Sequence, residues 1–118
     1  MSRCDSVLEQ VERIVSSRHF LHSGRMQRFL RFTVDQALQG EADRIKECVV
    51  GMQVFDRPAD YNPRLDPIVR VEARRLRIKL ERYYSSEGLF DPVRIEYPKG
   101  GYAPVFRELT APRPVPSR

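Results

Sequence analysis

Asp66-Pro-Ile-Val-Arg-Val-Glu-Ala-Arg-Arg-Leu-Arg-Ile-Lys-Leu-Glu-Arg-Tyr-Tyr84, followed by Val93-Arg-Ile-Glu-Tyr-Pro-Lys-Gly-Gly-Tyr-Ala-Pro-Val-Phe106, decides how this chain is read. Asp66 suits an N-cap, and Pro67 suits the first helical position, whose N–H has no partner within the helix. Val69, Ala73, Leu76, Leu80 and Tyr83 recur at alternating steps of four and three, which lays one apolar stripe along an α-helix. That stripe must face a core. Arg70, Val71, Arg74, Arg75, Ile78 and Arg82 fall on the opposite side, with Arg77 and Lys79 on the flanks. The outward face is therefore cationic, with two apolar residues set into it.

Beyond this helix, Ser85-Ser-Glu-Gly88 and Asp91-Pro92 turn the chain. Val93, Ile95 and Tyr97 then alternate with Arg94 and Glu96, as in a strand with one buried face. Gly100-Gly101 supplies a bend, and Tyr102 to Phe106 is expected as the return strand. Pro104 makes that strand an edge, because proline cannot donate to a central ladder.

Upstream, the pattern is helical. Ser6 and Glu9 form an S-x-x-E capping box before Val7, Leu8, Val11, Ile14 and Val15, so a short helix to about residue 16 is expected. A longer helix follows, capped by Ser23 and carrying Met26, Phe29, Leu30, Thr33, Val34, Ala37 and Leu38, with Gly40 as its stop. A third is expected from Asp43 to Gln53, with Asp43 as N-cap, Ile45, Val49 and Met52 inward and Gly51 weakening its end. The proline- and Asx-rich stretch 56–66 should be an irregular connector. The expected fold class is mainly α with a small β-hairpin. Residues 1–108 are expected to form one domain with a helical N-terminal extension, and 109–118 a flexible Pro-rich tail.

Composition bounds the function. With 118 residues and 41% hydrophobic content, one core is the expectation. A net charge of +5 and a pI near 9.6 favour a polyanionic partner, and the preference for arginine suits phosphates and guanine edges. Cys4, Cys48, His19 and His22 lack metal-site spacing, so no metal or cofactor is expected, and the cysteines read as free thiols, a Cys4–Cys48 disulfide staying open. No phosphate-cradling glycine loop or activated nucleophile is present, and Asp56, Asp60 and Asp66 read as turn caps, so no enzyme is expected. No apolar run approaches the ~20 residues of a membrane helix, and the N-terminus lacks a signal-peptide core. A cytoplasmic location, away from membranes, is the expectation.

The stretch Val69 to Glu81, the strand after it, Gly101-Tyr102 and Phe106 resemble the recognition helix and wing of OmpR/PhoB-type winged helix-turn-helix domains. Arg28-Phe-Leu-Arg-Phe32, Lys46-Glu-Cys-Val-Val-Gly51, Val54-Phe-Asp-Arg-Pro-Ala-Asp-Tyr-Asn-Pro-Arg64 and Tyr97-Pro-Lys-Gly-Gly-Tyr-Ala-Pro-Val-Phe106 are similar to the N-terminal winged-helix module of bacterial proteins with TolB-like or tetratricopeptide repeats. The resemblance implies a bacterial DNA-binding or signalling module, and the expected function is a transcription regulator that binds double-stranded DNA, with residues 43–53 as positioning helix, 67–84 as recognition helix and 93–106 as wing. It departs from the response regulators in its helical N-terminus, in Pro98 and Pro104, and in having no room for a receiver domain, so phosphorelay control is not carried over.

The implied base readers are Glu72, Arg74, Arg75 and Arg77, Glu72 by accepting from cytosine N4. Arg70 is a further arginine candidate, and Val71 or Ile78 can meet a thymine methyl. Arg94 and Lys99 of the wing would contact phosphates or the minor groove, with Arg25, Arg28 or Arg57 on the flanking backbone. Neutralising about six phosphates would lower affinity on the order of a thousandfold between about 50 and 200 mM salt. A homodimer on paired sites fits such a module, although no zipper heptad is present. The alternative is a winged helix that uses Val71, Ile78 and the arginines on a protein partner, since one fold hosts both uses. Paired charges such as Glu72, Glu81 and Glu87 against the arginines would instead make the helix face merely solvated.

Overall fold

The computed structural model describes residues 3–108. The expected tail at 109–118 lies outside them. Four helices and a hairpin follow one another: α1 (Arg3–Val15), α2 (Gly24–Leu38), a 3-10 turn (Ala42–Arg44), α3 (Glu47–Phe55), α4 (Ile68–Tyr84), β1 (Val93–Glu96) and β2 (Val105–Glu108). The protein is mainly helical with one two-stranded antiparallel sheet.

A single apolar cluster joins all four helices and β1. Val7, Val11, Ile14 and Val15 enter it from α1, Met26, Phe29, Leu30 and Val34 from α2, and Val50, Val54 and Phe55 from α3. From α4 come Val69, Ala73, Leu76, Leu80 and Tyr83, the stripe expected from the sequence, together with Tyr84. Val93 and Ile95 close the cluster from the hairpin, with Tyr97 beside them. Phe29 lies edge-on to both Phe55 and Tyr97, with ring centroids 5.7 and 6.2 Å away, an orientation aromatic quadrupoles favour. The Tyr97 hydroxyl shares a 2.5 Å hydrogen bond with Thr33 Oγ1, which also donates to the Phe29 carbonyl. Burial holds the Tyr97 phenol far above its ordinary pKa, so it stays a neutral polar link inside the core.

Several element ends differ from expectation. Helix α1 starts at Arg3, so Ser6 lies within it and the S-x-x-E pattern is not its cap. Ser23 occupies the N-cap of α2 without a side-chain capping bond, and Gln27 instead reaches back to the Phe20 carbonyl at 2.7 Å. Gly40 does end α2, at φ +80°, a left-handed conformation that costs glycine little. Residues 42–44 form a 3-10 turn, and α3 begins only at Glu47 with Lys46 as N-cap, not at Asp43.

The buried face of α3 is Val50, Gly51, Val54 and Phe55, while Val49 and Met52 are half-buried. Gly51 sits mid-helix under Tyr61, whose ring covers the space a Cβ would take. Asp56 ends α3 in a left-handed conformation at φ 56°. Arg28 of α2 ties that end down, reaching both Asp56 oxygens at 3.0 and 3.1 Å and the Gln53 carbonyl at 2.8 Å.

The connector 56–66 is irregular, as expected, and held. Arg57 Nε donates to Asp66 Oδ2 at 2.7 Å, and Tyr61 donates to the Asp66 carbonyl. Asp66 Oδ1 accepts from the Ile68 N–H at 3.2 Å. The capping chemistry expected of Asp66 is thus present, with the helix beginning one residue later and Pro67 at the N-cap.

In the hairpin, Val93 pairs with Glu108, Ile95 with Phe106 and Glu96 with Val105. The return strand therefore runs from Val105 and not from Tyr102, leaving 97–104 as a broad tip with Gly100 at φ +91°. Pro104, which has no N–H to offer a ladder, is the last residue before that strand. Tyr84 occupies the other edge of β1: its hydroxyl donates to the Val93 carbonyl at 2.9 Å and accepts from the Ile95 N–H at 3.0 Å. One side chain thereby does for β1 what a neighbouring strand would do.

Candidate nucleic-acid interface

Helix α4 carries two polar stripes besides its buried one. With 3.6 residues per turn, Arg70, Arg74, Arg77 and Glu81 line the side next to the hairpin tip, and Val71, Arg75, Ile78 and Arg82 point furthest from the core. Val71 and Ile78 are 44% and 41% exposed. The structure brings Arg70, Val71, Arg74, Arg75 and Ile78 together on one solvent-facing surface, with Arg77 on its border.

The cations on this surface are not equivalent. Arg77 is a clamp: its Nε donates to the Tyr97 carbonyl at 2.9 Å, and its Nη2 to the carbonyls of Pro98 and Gly101 at 3.2 and 3.1 Å. A planar guanidinium can serve acceptors in several directions at once, which an ammonium on a single point cannot match in geometry. Arg70 donates to the Pro63 carbonyl at 3.0 Å and lies 3.6 Å from Glu47 Oε2. Arg74 has neither a hydrogen bond nor an ion pair among the described residues. Arg75 pairs with Glu72 at 3.3 Å while remaining largely exposed.

Glu72 departs from its expected role. It is 6% exposed, on the flank of α4 away from the hairpin, so its carboxylate is turned inward and met by Arg75 rather than presented at the surface. The helical angle accounts for this, since position 72 falls beside Leu76 and Tyr83 and not beside Arg74. Arg77 likewise spends its donors on the hairpin backbone. Arg77's partners lie 20 to 24 residues away in sequence, whereas Glu72 meets a neighbour on its own helix.

On the hairpin, Arg94 lies over the Tyr84 ring at 5.0 Å and its Nε is 2.8 Å from Glu96 Oε2. That N–H is not aimed at the carboxylate and makes no hydrogen bond, so the pair is ionic only. Arg107 meets the other Glu96 oxygen at 2.8 Å. The charge of Arg94 is thus largely matched locally, whereas Lys99 at the tip is exposed and without a partner among the described residues. Arg25 stacks over Phe55, and Arg28 and Arg57 hold Asp56 and Asp66.

Between α4 and the hairpin tip is a notch of about 290 Å³ lined by Arg70, Arg77, Gly100, Gly101 and Tyr102. Tyr102 packs half-buried against the core cluster, and its hydroxyl makes no hydrogen bond among the described residues. Burial, and then the nearby Glu47 carboxylate, push its pKa up, with Arg70 and Arg77 pulling the other way. The group is therefore a protonated O–H donor at neutral pH. Tyr83, as expected from the apolar stripe, and Tyr84 are core residues.

Comparison with protein-family models, curated proteins and solved structures gives no match.

Elsewhere, a larger hollow of about 570 Å³ between α1 and α2 is rimmed by Arg28 and Arg31, both held by carboxylates, and offers no unsatisfied cation. Cys4 and Cys48 are exposed free thiols. No cluster of metal-ligating side chains occurs among the described residues, and no helix among them is long and apolar enough to cross a membrane. Tyr102 lines the notch although it is not among the residues singled out from the sequence. The i, i+4, i+7 spacing of Arg70, Arg74 and Arg77 was the available signal that one stripe of α4 faces the hairpin.

Proposed function

We propose that the chain is a winged helix-turn-helix domain that binds double-stranded DNA sequence-specifically, as a bacterial transcription regulator. In this reading α3 is the positioning helix, α4 the recognition helix and the hairpin the wing. One observation carries it: the solvent-facing surface of α4 holds Arg74, unpaired among the described residues, the weakly paired Arg75 and two exposed aliphatic residues, Val71 and Ile78, beside a hairpin fastened to the same helix. A helix of this kind fits the major groove, where arginine can bind guanine O6 and N7 and an aliphatic side chain can cover a thymine methyl. Arg74 and Arg75 are the base readers, Val71 and Ile78 the apolar contacts, and Lys99 the phosphate contact of the wing. Glu72 and Arg77 leave the base-reading set for the reasons given above.

The test is a fluorescence-anisotropy titration on duplex DNA from the chain's own promoter at two salt concentrations. Wild type should bind with a steep salt dependence, and Arg74→Ala/Arg75→Ala should lose roughly tenfold or more for each guanine contact removed. A folded double variant that binds as wild type does overturns the assignment. The exposure of Val71 and Ile78 also favours a second reading, a protein-interaction winged helix. Wild type that ignores DNA at low salt and captures a protein through these residues would support it.

A further inference from the structure

The notch between α4 and the hairpin tip has hydrogen-bond donors that no group among the described residues uses. Arg77 commits Nε and Nη2 to carbonyls and leaves Nη1 without a hydrogen bond. Arg70 commits Nη2 to Pro63 and likewise leaves Nη1. The Tyr102 hydroxyl is a third idle donor. Arg74, one turn from both arginines, adds an unpaired positive charge at the rim. Opposing them is Glu47, whose buried Oε2 accepts no hydrogen bond. Arg70 balances that carboxylate, so the net charge remaining around the notch is that of Arg77 and Arg74. Guanidinium and hydroxyl donors on residues that line one small cavity suit a tetrahedral oxyanion.

We propose that this notch is an oxyanion site that takes one phosphoryl group, and that in the DNA complex the group is a backbone phosphodiester. The second half rests on the DNA-binding reading. A strand that borders a groove filled by α4 and then passes under the hairpin has to cross this gap, and one phosphate held there fixes the register in which Arg74 and Arg75 meet base edges. Free inorganic phosphate presents the same oxygens, so the two sources are tested separately.

The first arm titrates the ¹⁵N-labelled full chain with sodium phosphate against sodium chloride at matched ionic strength. In wild type, the Gly101 and Tyr102 amides and the Arg77 Nε–H should shift saturably with phosphate alone. Tyr102→Phe should bind phosphate about tenfold more weakly, the effect of one hydrogen bond to a charged acceptor. Shifts that do not saturate, or that Tyr102→Phe leaves unchanged, overturn the site.

The second arm uses duplex DNA. Tyr102→Phe should weaken all sequences alike with the salt slope kept, and Arg70→Gln should lower the slope by about one. If wild type takes phosphate saturably but binds no duplex, the oxyanion site stands and its DNA assignment falls. If wild type binds duplex and Tyr102→Phe binds it identically at all salts, the site falls and the DNA-binding reading stands. Arg70 also holds the Pro63 carbonyl, so circular dichroism must show that Arg70→Gln folds. Tyr102→Phe, which removes no hydrogen bond of the fold, keeps the test decisive if it does not.

Discussion

The ring of Tyr61 lies directly over the bare Cα of Gly51, so that a Cβ at Gly51 would overlap the ring edge. This contact seats the connector 56–66 on α3 and leaves the Tyr61 hydroxyl 3.1 Å from the Asp66 carbonyl at the head of α4. The glycine that weakens α3 by propensity is the one that lets α3 and α4 share a lid.

Gly51→Ala should therefore destabilise the protein by about 1–2 kcal/mol, although alanine improves an exposed helix by about 1 kcal/mol. Thermal or urea denaturation measures it. In a Tyr61→Ala background the obstacle is gone and Gly51→Ala should become stabilising. The same sign in both backgrounds would refute the contact as its cause.

Arg77→Ala should loosen the hairpin tip more than it lowers global stability, because the three accepting carbonyls all lie between Tyr97 and Gly101. Amide hydrogen exchange across 99–103 should quicken at least tenfold, equivalent to about 1.4 kcal/mol of local opening. Arg77→Lys should recover little of it. Arg74→Ala should leave exchange and melting temperature as they are.

Leu76→Ala, deep in the core, should cost about 2–5 kcal/mol. Val71→Ser and Ile78→Ser should each change stability by less than about 0.5 kcal/mol, since neither supports the fold. The paired serine variant separates the two functional readings. Weaker DNA binding chiefly at sites containing thymine supports base contact, and loss of a protein partner with DNA affinity intact supports the alternative.

Stability should fall on the alkaline side. Burial first of all raises the Tyr84 phenol from 10.0 to about 12, and Tyr83 and Tyr97 are raised in the same direction. The folded state keeps protons there that the unfolded chain releases, so this stabilisation is complete below about pH 10 and disappears as pH rises through about 12. Melting curves between pH 8 and 12 should show that decline. Tyr84→Phe should flatten part of it, while costing stability at pH 8 through the Ile95 N–H left without its acceptor.

The sequence was legible where a period was long or strict. The α4 stripe from Val69 to Tyr83 and the alternation of Val93, Ile95 and Tyr97 both fall on the buried side. It was illegible in α3, where Cys48, Val49, Val50, Met52, Val54 and Phe55 surround a short helix with apolar groups and leave no preferred face. The start of β2 was missed because Gly100-Gly101 implies a tight bend, whereas Arg77 draws the carbonyls of Tyr97, Pro98 and Gly101 to itself and holds a broad tip open.

What the sequence determined by itself is a basic helix with one apolar stripe, a hairpin beyond it and helical support before it, because hydrophobic spacing and turn residues act over a few neighbours. Tertiary structure alone decided what each arginine does. Arg70, Arg74, Arg75 and Arg77 are one residue type with one charge, but among the described residues they meet Pro63 and Glu47, no partner, Glu72, and the hairpin carbonyls respectively. Most of those partners lie outside the helix, and a guanidinium's role follows from which acceptors the packed chain brings within reach.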